Sequence, residues 1–142
     1  MVTVQAVEIL VVEDNPEDLE MMMHALKRNK LANRIHVARD GAEALEFLAD
    51  KSHLPKVVLL DLKLPKVSGI EVLESIREDE RTRVLPVVVL TSSREEPDVR
   101  RCYELGVNSY IVKPVDFDAF VKAVAEVGLY WMLLNQPPEQ HA

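Results

Sequence analysis

The sequence has a single cysteine, Cys102. One thiol excludes an intramolecular disulfide and fits a reducing cytoplasm. No apolar run approaches the roughly 18 residues that span a bilayer, so no membrane partner is expected. The amino terminus, MVTVQAVEIL, lacks the basic n-region of a secretory signal. No basic stripe is present and the net charge is −7, which argues against a nucleic-acid partner. Glycine is scarce, four residues against eight prolines, and no linker, repeat or low-complexity stretch breaks the chain. These absences leave one cytoplasmic domain, expected over residues 1–142. With 48% hydrophobic and 29% charged residues, it has enough apolar surface for a substantial core.

What is present is an alternation of two periodicities. Apolar runs of strand length fall at Val7–Glu13, Arg34–Ala38, Lys56–Leu60, Pro86–Leu90 and Asn108–Val112. Between them Leu19, Met22, Met23 and Leu26 repeat with helical spacing, and Ala44, Leu45 and Leu48 mark a second helix. Ile70, Leu73 and Ile76 mark a third, and Phe117, Phe120, Val121, Val124 and Val127 a fifth. The fourth, around Val99–Leu105, is short and weaker.

Helix boundaries carry their own signals. Asn15-Pro16 with Glu17 and Asp18 predicts an N-cap, a first-position proline and acids facing the positive helix end. Asp40-Gly-Ala-Glu43 predicts a capping box. Gly106 predicts a helix stop, and Gly41 and Gly69 tight turns at helix starts. Strands of near-continuous Val, Ile and Leu belong to a parallel sheet buried on both faces, and right-handed crossovers place helices on each side. The expected fold is α/β, a doubly wound (βα)5 domain with a five-stranded parallel sheet. Its core spans about residues 7–127, with a helical extension and tail over about 128–142.

Each strand then delivers a chemical group to the sheet's carboxyl edge, where open α/β sheets keep their ligands. Strand one ends on Glu13 and Asp14, strand three on Asp61, strand four on Thr91 and strand five on Lys113-Pro114. If the strand order is 2-1-3-4-5, three carboxylates crowd the switch point between strands one and three. Like charges that close require a cation or a retained proton. Asp14 and Asp61, with a backbone carbonyl and water, can supply part of the octahedral oxygen shell that Mg²⁺ demands, while Glu13 acts through a bound water. Lys113 is a point cation and Thr91 a hydroxyl donor; with the metal they form an electrostatic clamp for a transferring phosphoryl group. Asp61 is the acid placed to act as nucleophile and form an acyl phosphate.

The motifs EDNP after strand one, LLDLKLP around Asp61, VVLTSS at Thr91 and SYIVKP before the last helix resemble the receiver domain of two-component response regulators. The resemblance runs from about Val7 to Val127 and implies a flavodoxin-like fold, its sheet of order 2-1-3-4-5, with Asp61 as phosphoacceptor. It implies a Mg²⁺ site of Glu13, Asp14, Asp61 and the backbone carbonyl of Lys63, with Mn²⁺ or Ca²⁺ as substitutes. Thr91 and Tyr110 become the switch pair, Lys113 the contact to the phosphoryl group, and the peptide bond before Pro114 cis rather than trans. The stretches VARDGAEAL, LPKVSGIEVL, ELGVNSYIVKPVDF and GLYWMLLNQPP are similar to stand-alone regulators that partner phytochrome-type histidine kinases. The implied partner is a sensor histidine kinase, and the implied role that of a phosphoacceptor rather than an enzyme.

Plainer readings compete for several residues. Thr91, Ser92 and Ser93 suit a capping run that opens the fourth helix; for the two serines this reading is preferred. Lys63 and Ser93 occupy positions that vary among receivers and tune the lifetime of the acyl phosphate. Tyr110 reads as a half-buried packing residue as well as a switch. His24, His36, His53 and His141 have no ligand spacing, Cys102 reads as structural, and Met21-Met22-Met23 as core with exposed neighbours. The apolar ending Leu129, Tyr130, Trp131, Leu133 and Leu134 predicts a homodimer through the fourth helix, fifth strand and fifth helix together with the extension. No DNA-binding output domain is expected.

Three rival functions fit less well. An aspartyl phosphatase would carry an acid where Lys63 stands. A flavin carrier needs a Ser-, Thr- and Gly-rich loop after strand one, whereas EDNPED repels a phosphate. A phosphorylation-independent interaction module would lack an acid, the threonine or the lysine, and none is missing.

Overall fold

A computed structural model of the chain describes residues 7–50 and 54–134, and of 129–134 only the backbone. The side chains of Leu129, Tyr130, Trp131, Leu133 and Leu134, on which the expected dimer contact draws, lie outside this description, as do His53 and His141. Strand and helix alternate: β1 (Val7–Val12), α1 (Pro16–Arg28), β2 (Ala32–Ala38), α2 (Gly41–Ala49), β3 (Val57–Leu60), α3 (Gly69–Glu78), β4 (Val87–Thr91), α4 (Glu96–Glu104), β5 (Ser109–Val112) and α5 (Phe117–Leu134). The strands pair in parallel in the order β2-β1-β3-β4-β5, as expected.

Side chains of a strand alternate between faces, and this sheet buries both. Leu10, Val12, Val58, Leu60, Val87 and Val89 pack with Ala44, Leu48, Val72, Leu73, Ile76 and Cys102 of α2, α3 and α4. Ile9, Val11, Val57, Leu59, Val88 and Leu90 pack with Leu19, Met22, Leu26, Phe120, Val124 and Val127 of α1 and α5. The weak signal of the fourth helix has its cause here. Cys102 is the one buried residue of α4, so little apolar periodicity marks where it starts. The helix begins at Glu96, ahead of the apolar stretch at Val99.

Local chemistry sets most other boundaries. Asn15 Oδ1 accepts the Asp18 N–H at 2.9 Å, with Pro16 at the first position of α1. Asp40 Oδ1 accepts the Glu43 N–H at 2.8 Å, but the return bond of the capping box goes to the Arg39 N–H, at 3.2 Å, instead of to the cap residue. Gly106 follows the end of α4 at φ +71°, a left-handed conformation that glycine adopts without a Cβ penalty. Arg77 of α3 fastens that same end. Its guanidinium donates to the carbonyls of Leu105 at 2.6 Å and Gly106 at 3.1 Å, and to those of Leu85 at 2.8 Å and Arg83 at 3.1 Å.

The residues that end the strands stay on the ladder. Glu13 N–H donates to Ala38 O at 3.0 Å, Asp61 N–H to Val12 O at 3.0 Å, and Lys113 N–H to Thr91 O at 2.9 Å. Each lies one residue past its strand, yet its N–H continues the sheet's hydrogen bonding.

Candidate functional site

Carried one residue past the strand ends, the alternation of faces sorts the candidate residues. Glu13, Asp61 and Lys113 share the parity of Ile9, Leu59 and Ile111, which point toward α1 and α5. Thr91 and Tyr110 share the parity of Val89, on the side of α4; Tyr110 packs there. The acids and the lysine therefore meet on one side of the sheet's edge and the hydroxyls gather on the other.

On the first side, Lys113 Nζ lies 2.8 Å from Glu13 Oε1 and 3.0 Å from Asp61 Oδ2. It also lies 2.8 Å from Asp18 Oδ2, on the first turn of α1. Glu13 is fully buried and Asp61 is 4% exposed, whereas Asp14 faces solvent. One carboxylate oxygen from each of Glu13, Asp14 and Asp61 lies within 4.8 Å of the others. Three acids thus face one ammonium, and a fourth, Asp14, lies beside two of them. Burial pushes the Glu13 carboxyl up to about 7, against the hydrogen bond from Lys113 and with the added push of the Asp61 charge. Burial by itself would lower the Lys113 ammonium, but its bonds to Asp18, Glu13 and Asp61 outweigh that and hold it well above the usual lysine range. Lys113 keeps its charge because three carboxylates surround it; Glu13, the most deeply buried of them, has its proton affinity raised.

Surplus negative charge on hard oxygen ligands, packed this closely, fits a divalent cation such as Mg²⁺, Mn²⁺ or Ca²⁺. The loop after Asp61 borders the notch. Lys63 N–H donates to Asp61 Oδ1 at 3.1 Å, while the Lys63 side chain is exposed. Gly69 N–H donates to Leu62 O at 2.9 Å, and a Cβ on Gly69 would sit 2.2 Å from the Asp61 carbonyl oxygen. That contact is impossible, so the absence of a side chain there lets α3 seat directly on the Asp61 backbone.

On the second side, Thr91 is fully buried. The Ser93 N–H donates to Thr91 Oγ1 at 3.3 Å, and the Tyr110 hydroxyl donates to Ser93 O at 2.9 Å. The Tyr110 ring stacks on Tyr103, with centroids 6.5 Å apart. Ser92 is exposed, but Ser93 is buried. Neither serine caps α4: Glu95 is its N-cap and makes no side-chain cap bond. The capping-run reading of the two serines is thereby corrected. Lys113-Pro114 is a cis peptide bond.

Two participants were not legible in the sequence. Asp18 reads there only as a helix-dipole acid, although its place one turn after Asp14 is a usable clue. Ser93 reads as part of a polar run, and nothing in its neighbours signals its contacts. His36 rests on the Phe47 ring at 4.7 Å, and Cys102 is buried. A groove of about 520 Å³ lined by Arg77, Val84, Leu85 and Asn108 opens at the opposite edge of the sheet, away from the acids.

A family model described as the response regulator receiver domain matches residues 9–125, and the chain belongs to that family. It is accordingly a receiver-type regulator of two-component signalling. Among its relatives it is 45% identical over 134 residues to the probable methanogenesis regulatory protein FilR2 of Methanothrix harundinacea (strain 6Ac), covering 92% of this chain and 86% of FilR2. It is 37% identical over 129 residues to response regulator Rcp1 of Synechocystis sp. (strain ATCC 27184 / PCC 6803 / Kazusa), covering 87% and 88%. The solved Mn²⁺-bound form of Rcp1 aligns with a TM-score of 0.76 at 36% identity, covering 93% of this chain and 99% of that one. The bacteriophytochrome response regulator AtBRR aligns with a TM-score of 0.74 at 52% identity, covering 93% and 99%. Among the described residues no helix is long and apolar enough to cross a membrane.

Proposed function

We propose that the protein is a single-domain cytoplasmic response regulator that accepts a phosphoryl group on Asp61 from a sensor histidine kinase. The observation that carries this reading is Lys113 Nζ set 3.0 Å from Asp61 Oδ2, beside carboxylate oxygens of Glu13 and Asp14 that could hold a metal ion. One carboxylate oxygen of Asp61 forms a bond to phosphorus as the P–N bond of the donor phosphohistidine breaks, and the electron pair stays on the imidazole nitrogen. Lys113, already charged and fixed, faces the oxygens of the transferred group and needs no reorganisation during the step. Glu13, Asp14, Asp61 and the Lys63 carbonyl would hold Mg²⁺, or Mn²⁺ or Ca²⁺ in its place, and that site would supply positive charge to the phosphoryl oxygens. The chain acts on no outside substrate in this reading. The likeness to AtBRR supports a kinase of the phytochrome type.

A phosphorylated Asp61 carries a doubly charged acceptor. The Thr91 hydroxyl turns toward it, the Tyr110 ring fills the vacated space, and the face of α4, β5 and α5 repacks. That face and the extension of α5 serve as the homodimer contact, with the exposed Tyr103 at its margin. The test is incubation with Mg²⁺ and acetyl phosphate, read by intact mass. The natural chain gains one phosphoryl group and Asp61→Asn gains none; label retained by the Asn variant refutes the assignment.

A further inference from the structure

Ser93 lies in the turn between β4 and α4 and is 3% exposed. All of its polar groups are engaged. Its N–H meets Thr91 Oγ1 at 3.3 Å and its carbonyl meets the Tyr110 hydroxyl at 2.9 Å. Its own hydroxyl donates to Asp98 Oδ2 at 2.5 Å. A hydroxyl–carboxylate bond of that length is charge-assisted and stronger than an ordinary one. Asp98 sits in the first turn of α4, so a single residue touches both hydroxyl partners of the site and the helix beside them.

The two ends of α4 are held differently. At the carboxyl end Arg77 grips the carbonyls of Leu105 and Gly106, and Arg101 pairs with Glu74 of α3 at 2.8 Å. At the amino end the cap residue contributes no side-chain bond, and the Arg100–Glu96 pair is exposed and internal to the helix. Among the described residues, the side-chain hydrogen bonds that tie this end to the strand-end turn both run through the Ser93 hydroxyl, which donates to Asp98 Oδ2 and accepts the N–H of the cap residue Glu95 at 3.4 Å. α4 has a clamp at one end and a latch at the other.

We propose that Ser93 is the positioning residue that couples the phosphorylation switch to α4, latching the helix's first turn through Asp98 until Thr91 is drawn away. Arg77 then acts as the pivot about which the freed end moves. The inference rests on the reading of Asp61 as phosphoacceptor and adds to it which end of the helix is released, and by which residue.

The test is amide hydrogen exchange of the full chain with Mg²⁺, with and without acetyl phosphate. Natural protein is compared with Ser93→Ala, Ser93→Thr and Asp98→Asn. Losing a charge-assisted bond corresponds to roughly a tenfold change in a local opening equilibrium. Before phosphorylation, Ser93→Ala and Asp98→Asn should exchange the amides of Asp98, Val99 and Arg100 about tenfold faster. The amides of Glu104 and Leu105, beside Arg77, should be unchanged. Ser93→Thr keeps a hydroxyl and should restore protection. Phosphorylation should loosen the same three amides in the natural chain and add nothing in Ser93→Ala. A uniform rise along α4, an Ala variant that exchanges like the natural chain, or a Thr variant that behaves like Ala overturns the proposal. A normal mass gain on Asp61 with unaltered α4 exchange refutes the coupling alone; no mass gain refutes the phosphoacceptor reading beneath it.

Discussion

Replacing Glu13 by Gln asks whether the acidic notch gives up stability for chemistry. Glu13 is fully buried, and burial pushes its carboxyl from an ordinary 4.5 up to about 7. Each pH unit of that rise corresponds to about 1.4 kcal/mol, so above pH 7 the ionised carboxylate costs the metal-free fold roughly 3 kcal/mol. The sign follows from proton counting. Between the two values the folded chain holds a proton that the unfolded chain has released. Stability therefore falls as pH rises across that window, by about 1.4 kcal/mol per pH unit, and levels off above it. Glutamine cannot ionise and loses the slope. Against this gain stands the Asn15 N–H, bonded to Glu13 Oε2 at 3.2 Å; facing an amide NH₂ instead, it forfeits about 1 kcal/mol. Lys113 keeps Asp18 and Asp61.

The metal-free variant should thus be about 1–2 kcal/mol more stable than the natural chain near pH 8, a few degrees in Tm for a domain of this size. Near pH 5 the difference should vanish or reverse. The assay is thermal unfolding in chelator at both pH values, repeated with excess Mg²⁺. The ion should stabilise the natural chain by mass action and the variant far less. A variant that is less stable near pH 8, a pH-independent difference, or an undiminished response to Mg²⁺ would refute the reasoning.

Gly69→Ala should destabilise the fold by about 1–3 kcal/mol and slow phosphorylation of Asp61, because its Cβ would lie 2.2 Å from the Asp61 carbonyl oxygen; urea unfolding and intact mass read the two effects. Cys102 is fully buried and its thiol is pushed up to about 11, chiefly by that burial. Since the thiolate is the reactive form, iodoacetamide near pH 8 should leave the native chain unmodified and label it fully in urea. Rapid native labelling would show the burial to be wrong. A chain ended after Val127 should scatter light as a monomer where the full chain scatters as a dimer, and an unchanged mass counts against the extension as the contact.

Much of this protein is decided by local rules that the sequence states openly. Apolar runs bounded by Asn15-Pro16, Asp40 and Gly106 determine the order of elements, since periodicity and caps act over a few residues. The same rules place Glu13, Asp14, Asp61, Thr91 and Lys113 at strand ends and so at one edge of the sheet. Where local signal fades, prediction fades too: α4 buries Cys102 alone and starts at Glu96, ahead of the apolar residue Val99 that marks it in the sequence. Tertiary structure alone decided which strand-end groups meet. Lys113 reaches Glu13 across 100 residues of sequence and Asp61 across 52; strand order makes these contacts, and no local pattern encodes it. It alone brought Asp18 to Lys113, buried Glu13 enough to raise its proton affinity, and turned the Ser93 hydroxyl onto α4. Pair distances and desolvation are properties of the packed sheet edge, and they exist only once both faces of the sheet are covered.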